Sequence, residues 1–96
     1  MHRAPRPEYL WQDPQFSRAA IKMLRHSGLG VSQNNIQANA FVSIAFLISL
    51  PYWNQNGMDP TPEDFHQLAA HRSPDNKLRF ALSDDRTCIR AIQGHS

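Results

Sequence analysis

Two short runs toward the carboxyl end alternate with a period of two, and a polar stretch joins them. Leu78, Phe80 and Leu82 alternate with Lys77, Arg79 and Ala81; after Ser83-Asp84-Asp85-Arg86, Ile89 and Ala91 alternate with Cys88, Arg90 and Ile92. Successive side chains on a strand point to opposite faces, so this pattern predicts a β-hairpin with an apolar face and a basic one. What precedes the hairpin sets the fold class, and it reads as helix.

Asp13-Pro14 is a helix start, because an Asp side chain accepts from amides of the first turn and Pro at the first helical position loses no needed donor. The helix runs from Pro14 to about His26, with Phe16, Ala20, Met23 and Leu24 on one face. Gly28 is placed to end it in a left-handed conformation. Gly30 to Asn39 is a polar loop, and Phe41-Val42 contributes a short extended piece. Ser43 caps a second helix over Ile44 to Leu50, apolar almost all round and ended by Pro51, and Asn54 to Pro60 is a turn-rich connection. Thr61-Pro62-Glu63-Asp64 repeats the cap-then-proline start for a third helix reaching about His71, and Ser73 to Asn76 breaks it. The predicted fold class is therefore α+β: a winged-helix-like domain of three helices followed by a β-hairpin wing, over residues 13–96. Residues 1–12 read as a flexible arm.

At 96 residues the chain makes one small domain. Ten Lys and Arg against eight Asp and Glu give a mildly basic balance, compatible with a polyanionic partner. The single cysteine, Cys88, excludes an intrachain disulfide and fits a reducing, cytoplasmic setting. The apolar run Ala40 to Leu50 falls well short of the roughly 20 residues a membrane span needs, so no membrane association is expected. Residues 1–12 carry Arg3, Arg6, Pro5 and Pro7 and no apolar stretch of the secretory kind. His66 and His71, five apart with no cysteine pair and no third ligand, predict no metal site. Gly28-Leu29-Gly30 lacks the third glycine and the preceding strand of a dinucleotide fingerprint. Trp11, Tyr52 and Trp53 are either core and rim residues or platforms for unpaired bases. A monomer is expected.

Hairpin register decides what Arg90 meets. A two-residue turn at Asp84-Asp85 pairs Phe80 with Ile89 and sets Arg79 opposite Arg90; a three-residue loop puts Arg90 beside Phe80. The first keeps charged and apolar groups apart and is the expected register. Arg79 and Arg90 are then either solvated strand charges or two cations that need an anion between them. Arg25 and His26 close the first helix, where cations offset the dipole. If the chain turns there, both also suit a phosphate, Arg through its planar fork and His as a donor when protonated.

Phe16-Ser17-Arg18, Leu24-Arg25-His26, Asn76-Lys77-Leu78-Arg79-Phe80 and the closing Ile89-Arg90-Ala91-Ile92-Gln93-Gly94-His95-Ser96 resemble, in order and spacing, the amino-terminal motifs of the tRNA (RNA) 2′-phosphotransferases. The resemblance implies an amino-terminal winged-helix lobe that binds RNA bearing an internal 2′-phosphate, and a carboxyl-terminal ADP-ribosyltransferase-like lobe that binds NAD and lies beyond Ser96. It implies that the splice-junction 2′-phosphate of tRNA is transferred to NAD, with release of nicotinamide and then of ADP-ribose 1″,2″-cyclic phosphate. By motif, Arg25, His26 and Arg90 match the essential Arg-His-Arg set, and His95 and Ser96 match the strand that meets the NAD ribose. Arg79 is a further phosphate-binding candidate. Departures are Gly28 for a usual proline, Ile36 to Val42 without a usual glycine, and Ile92 for a usual asparagine. By this reading the chain alone is inactive. The alternative is a non-catalytic winged-helix nucleic-acid binder, which the third helix disfavours because it carries Glu63 and Asp64 and no Lys or Arg.

Overall fold

In the computed structural model the described residues are 9–26, 29–31, 36, 39–72 and 76–92, the side chain of His26 excepted. Asp13 Oδ1 accepts from the Gln15 amide at 2.9 Å, and the Asp13 carbonyl accepts from Phe16 N at 3.1 Å. The cap thus starts helix α1 (Pro14–His26) where the Asp-Pro pair predicts it. Phe16, Ala19, Ala20, Met23 and Leu24 form its buried face. Ahead of it, Leu10–Gln12 make a single 3-10 turn whose Leu10 and Trp11 pack on the core, so the packed domain takes in part of the segment expected to be an arm. Residues 1–8 of that arm, Gly28, and His95 and Ser96 lie outside the described residues.

Strand β1 (Val42–Ser43) leads directly into helix α2 (Ile44–Ile48), with Ser43 Oγ accepting from Phe46 N at 3.3 Å. The expected stop at Pro51 is corrected. Helix α2 ends at Ile48, and Pro51 is the first residue of a further helix, α3 (Pro51–Gln55). A proline that cannot continue one helix has the φ angle and the missing donor that suit the start of the next. Helix α4 (Pro62–Ala70) begins at Thr61, whose amide and hydroxyl both donate to Asp64 Oδ2, at 2.9 and 3.1 Å. Together α2 and α3 make one bent helical segment between α1 and α4.

Strands β2 (Phe80–Leu82) and β3 (Cys88–Ala91) form the expected hairpin, and β1 joins it to give a three-stranded antiparallel sheet in the order β1-β3-β2. The expected register is also corrected: Phe80 pairs with Ala91, Ala81 with Arg90 and Leu82 with Ile89. A two-residue turn would require φ > 0 at Asp84 and, in its type I′ form, at Asp85 as well. Instead the loop is longer, its left-handed residue is Arg86 at φ 63°, and the Ser83 amide donates to the Cys88 carbonyl at 2.9 Å. A slip of two residues leaves the side chains of β2 and β3 on their predicted faces, whereas Leu78, expected on the apolar face, lies ahead of β2 and is exposed. Phe80 and Ile89 still point to the core, but Arg79 no longer faces Arg90.

One aromatic ring from each helical segment meets at the centre. Phe16 of α1 lies 5.0 Å from Trp53 of α3 and 5.1 Å from Phe65 of α4, centroid to centroid, and Trp53 and Phe65 are 6.1 Å apart. All three are buried, and the Trp53 indole N–H donates to the Leu47 carbonyl at 2.7 Å. Trp53 is therefore core, which removes it from the candidate base-stacking residues. Among the described residues no helix is long and apolar enough to cross a membrane. Truncating a buried aromatic costs ~3–5 kcal/mol, comparable to the whole stability of a domain this size, ~5–15 kcal/mol. Phe65→Ala is expected to leave much of the chain unfolded at 25 °C, whereas Gln55→Ala on the exposed side of α3 stays close to the parent, as read by urea denaturation followed by circular dichroism.

Candidate functional site

The carboxyl end of α1 meets the carboxyl end of β3. Arg25 Nη2 donates to the carbonyl of Ile92 at 2.9 Å, and the amide of Ile92 donates to the carbonyl of Arg79 at 2.8 Å. Ile92 thus ties together the helix end and both strands of the hairpin. Arg25 and Arg79 line one open cleft of about 580 Å³ with Ser17, Ile21, His71 and Phe80, among others. Arg25 carries five N–H donors in a planar fork, so the bond to Ile92 fixes its direction without exhausting its donors.

Arg90 lies off this cleft. It is half-buried, pairs across the sheet with Ala81, and sets its guanidinium over the Phe41 ring, 5.5 Å from the centroid. Val42 pairs with Ile89 and Ser43 with Cys88, and continuing that register by one residue sets Phe41 opposite Arg90. The aromatic face attracts the cation and restricts its rotamers. Arg90 and Ile92 are two residues apart, ~7 Å along a strand, and share a face. The structure therefore brings Arg25, Arg79 and the end of β3 together, with Arg90 one side-chain step along the same strand. The side chain of His26 lies outside the described residues, as do His95 and Ser96.

A family model described as RNA 2′-phosphotransferase, Tpt1 / KptA family, matches residues 12–96. The chain belongs to this family. No curated protein and no solved structure matches it. The match takes in every helix and strand from α1 to β3, including the Arg25, Arg79 and Arg90 positions. Membership in the Tpt1 / KptA family relates the chain to an enzyme of the transferase class whose substrate is RNA.

Two parts of the arrangement escaped the sequence. The acceptor for Arg25 is a main-chain carbonyl, which has no residue signature. The aromatic under Arg90 is Phe41, 49 positions away, and it becomes visible only when β1 joins the sheet.

The hairpin tip is held by its own side chains. Asp85 Oδ1 accepts from Ser83 Oγ at 2.7 Å, Thr87 Oγ1 at 2.8 Å and the Thr87 amide at 3.1 Å, while Ser83 Oγ accepts from the Cys88 amide at 3.1 Å. The Ser83 hydroxyl first, then the hydroxyl and amide of Thr87, hold the Asp85 carboxyl below its ordinary value. A carboxyl depressed in the folded state stabilises the fold above its unfolded pKa, and that contribution fades as pH falls through the folded value. Asp85→Ala is therefore expected to lower the urea midpoint at pH 7 and to flatten its decline below about pH 4; an unchanged acid limb counts against this role.

Proposed function

We propose that this chain is the RNA-binding lobe, winged-helix in type, of an NAD-dependent RNA 2′-phosphotransferase that removes the 2′-phosphate left at a tRNA splice junction. In this reading Arg25, His26 and Arg90 engage the 2′-phosphate, Arg79 adds positive charge, and His95 and Ser96 meet the NAD ribose. The observation that carries the reading is the Arg25–Ile92 hydrogen bond, which brings a helix-end guanidinium to the strand that bears Arg90. The winged-helix reading is supported by the order of elements, helix, strand, two-part helical segment, helix and hairpin, with β3 between β1 and β2.

The chemistry of the donor set fits a phosphate monoester. Such a group carries close to two negative charges at neutral pH and offers several acceptor oxygens, which forked guanidinium donors match. Fixed guanidinium charges at Arg25 and Arg90 offset repulsion between two polyanionic reactants. The Phe41 ring, 5.5 Å from the Arg90 guanidinium carbon, attracts the cation and restricts its rotamers. His26, when protonated, is proposed to add a further donor and to hand on a proton. NAD supplies a ribose carbon open to attack and nicotinamide as leaving group. The remainder of its pocket is proposed to come from an ADP-ribosyltransferase-like lobe, without which the RNA-binding lobe is proposed to be inactive. Helix α4 argues against the reading as a simple duplex binder. It has no Lys or Arg, its first turn is acidic, and Gln67 Nε2 bonds Glu63 Oε1 at 2.8 Å on its exposed side.

The test compares single-stranded RNA bearing one internal 2′-phosphate with the same strand lacking it. The phosphate is expected to strengthen binding, and Arg25→Ala or Arg90→Ala each to reduce that preference by about 10- to 100-fold, the range for a charged hydrogen-bonding partner. Arg90→Lys restores only part of it, since a point charge replaces a fork. Equal affinity of the parent chain for both strands would falsify the assignment.

A further inference from the structure

The cleft shared by Arg25 and Arg79 is longer than a phosphate requires. One wall follows a single face of α1 through Pro14, Ser17, Ile21 and Arg25. At 1.5 Å rise per residue, Pro14 and Arg25 are about 16 Å apart along the helix axis. Trp11, Asp13 and His71 also line the cleft, Trp11 and Asp13 just ahead of the start of α1. Trp11 and His71 rings lie 5.1 Å apart, and Tyr9, 51% exposed, stacks on Trp11 at 6.3 Å and 26°. Unlike Trp53, Trp11 is only partly buried. Asp13, whose Oδ1 caps α1, places a carboxylate at the helix start, where it disfavours a phosphate. The cleft thus joins guanidinium groups, from Arg25 and Arg79, to π faces, from Trp11 and His71, with Ile21, Leu68 and Phe80 also in its lining; the antiparallel bridge between Arg72 and Leu78 sets His71 opposite Arg79.

A ligand matched to this lining combines an anionic group with a flat, uncharged ring. We propose that Trp11 and His71 form a stacking subsite for the base of an unpaired RNA nucleotide within three positions, along the strand, of the one whose 2′-phosphate meets Arg25. This rests on the assignment of Arg25 to that phosphate. Trp11 precedes Pro14 and so lies roughly 16 Å along α1 from Arg25, farther than one stacked step of ~3.4 Å, and the base therefore belongs to a nucleotide other than the phosphorylated one. It must be unpaired, because only a splayed base offers its face to an aromatic side chain. The volume of about 580 Å³ lies within the range of small-ligand sites. Recognition of this kind is tolerant of sequence, since every base has a π face.

The chain has two tryptophans, and Trp53 is 1% exposed, so Trp11 is the indole a base can reach. The experiment titrates the chain with single-stranded RNA bearing one internal 2′-phosphate. In a parallel set, each base within three nucleotides of the phosphate is replaced in turn by an abasic ribose. Intact RNA is expected to quench tryptophan emission. An abasic ribose at one position, other than the phosphorylated nucleotide, should weaken binding about tenfold and remove the quench. Trp11→Ala should lose the same tenfold and become indifferent to that substitution, while Trp11→Phe keeps most of the affinity without the quench. His71→Ala, at an exposed position, provides a second variant should Trp11→Ala fail to fold, and is expected to shrink the abasic penalty. Repeating the series without the 2′-phosphate separates the two claims. If the phosphate adds nothing but the Trp11-dependent abasic penalty persists, the phosphate assignment fails and the stacking subsite stands. No position-specific penalty, an undiminished penalty in both Trp11→Ala and His71→Ala, or quenching by NAD but not by RNA overturns the subsite.

Discussion

Packing of Phe16, Trp53 and Phe65 against one another is the contact on which the remaining geometry depends. Each ring comes from a different helical segment, and the edge-on or tilted contacts, 5.0 to 6.1 Å between centroids, fix the helices in both distance and rotation. The sheet packs Val42, Phe80 and Ile89, all fully buried, into the same core. Once α1 is fixed in this way, its buried face determines where its last turn points. Arg25 lies on the side of that turn that reaches β3.

The candidate site follows from a helix end and a strand end being brought together, without any dedicated loop. A guanidinium at the carboxyl end of a helix is favourable for the fold because it offsets the dipole, and its donation to Ile92 satisfies a carbonyl at the end of β3. The same side chain faces an open cleft. Arg90 is treated differently. Its support is an aromatic face, which attracts the cation and narrows its choice of rotamers. A phosphate approaching this end of the hairpin would meet one arginine braced by the backbone and another braced by a ring.

Local signals in the sequence were reliable wherever the physics was local. Asp13-Pro14, Ser43 and Thr61-Pro62 each mark the helix start found in the structure, because a cap is satisfied within three residues of itself. Alternation in the hairpin placed Phe80 and Ile89 inward and Arg79 and Arg90 outward, because a two-residue slip preserves parity. Pairing partners were another matter. The register depends on a side-chain network around Asp85 that makes the longer loop favourable, and residue type alone gives no measure of it. Pro51 was legible as a break but not as a beginning, since the same chemistry serves both. Long-range contacts, Arg25 with Ile92 and Arg90 with Phe41, required the sheet order before they could be seen.

The closed tip of the hairpin bears on the energetics of ligand capture. Asp85, Ser83 and Thr87 satisfy one another, and Arg86 N bonds the Ser83 carbonyl at 2.9 Å, so the loop's conformation is specified by its own donors and acceptors. A segment that must order itself on a partner subtracts that lost freedom from the free energy of association. This one arrives already shaped, and the arginines mounted on its strands keep the benefit of preorganisation.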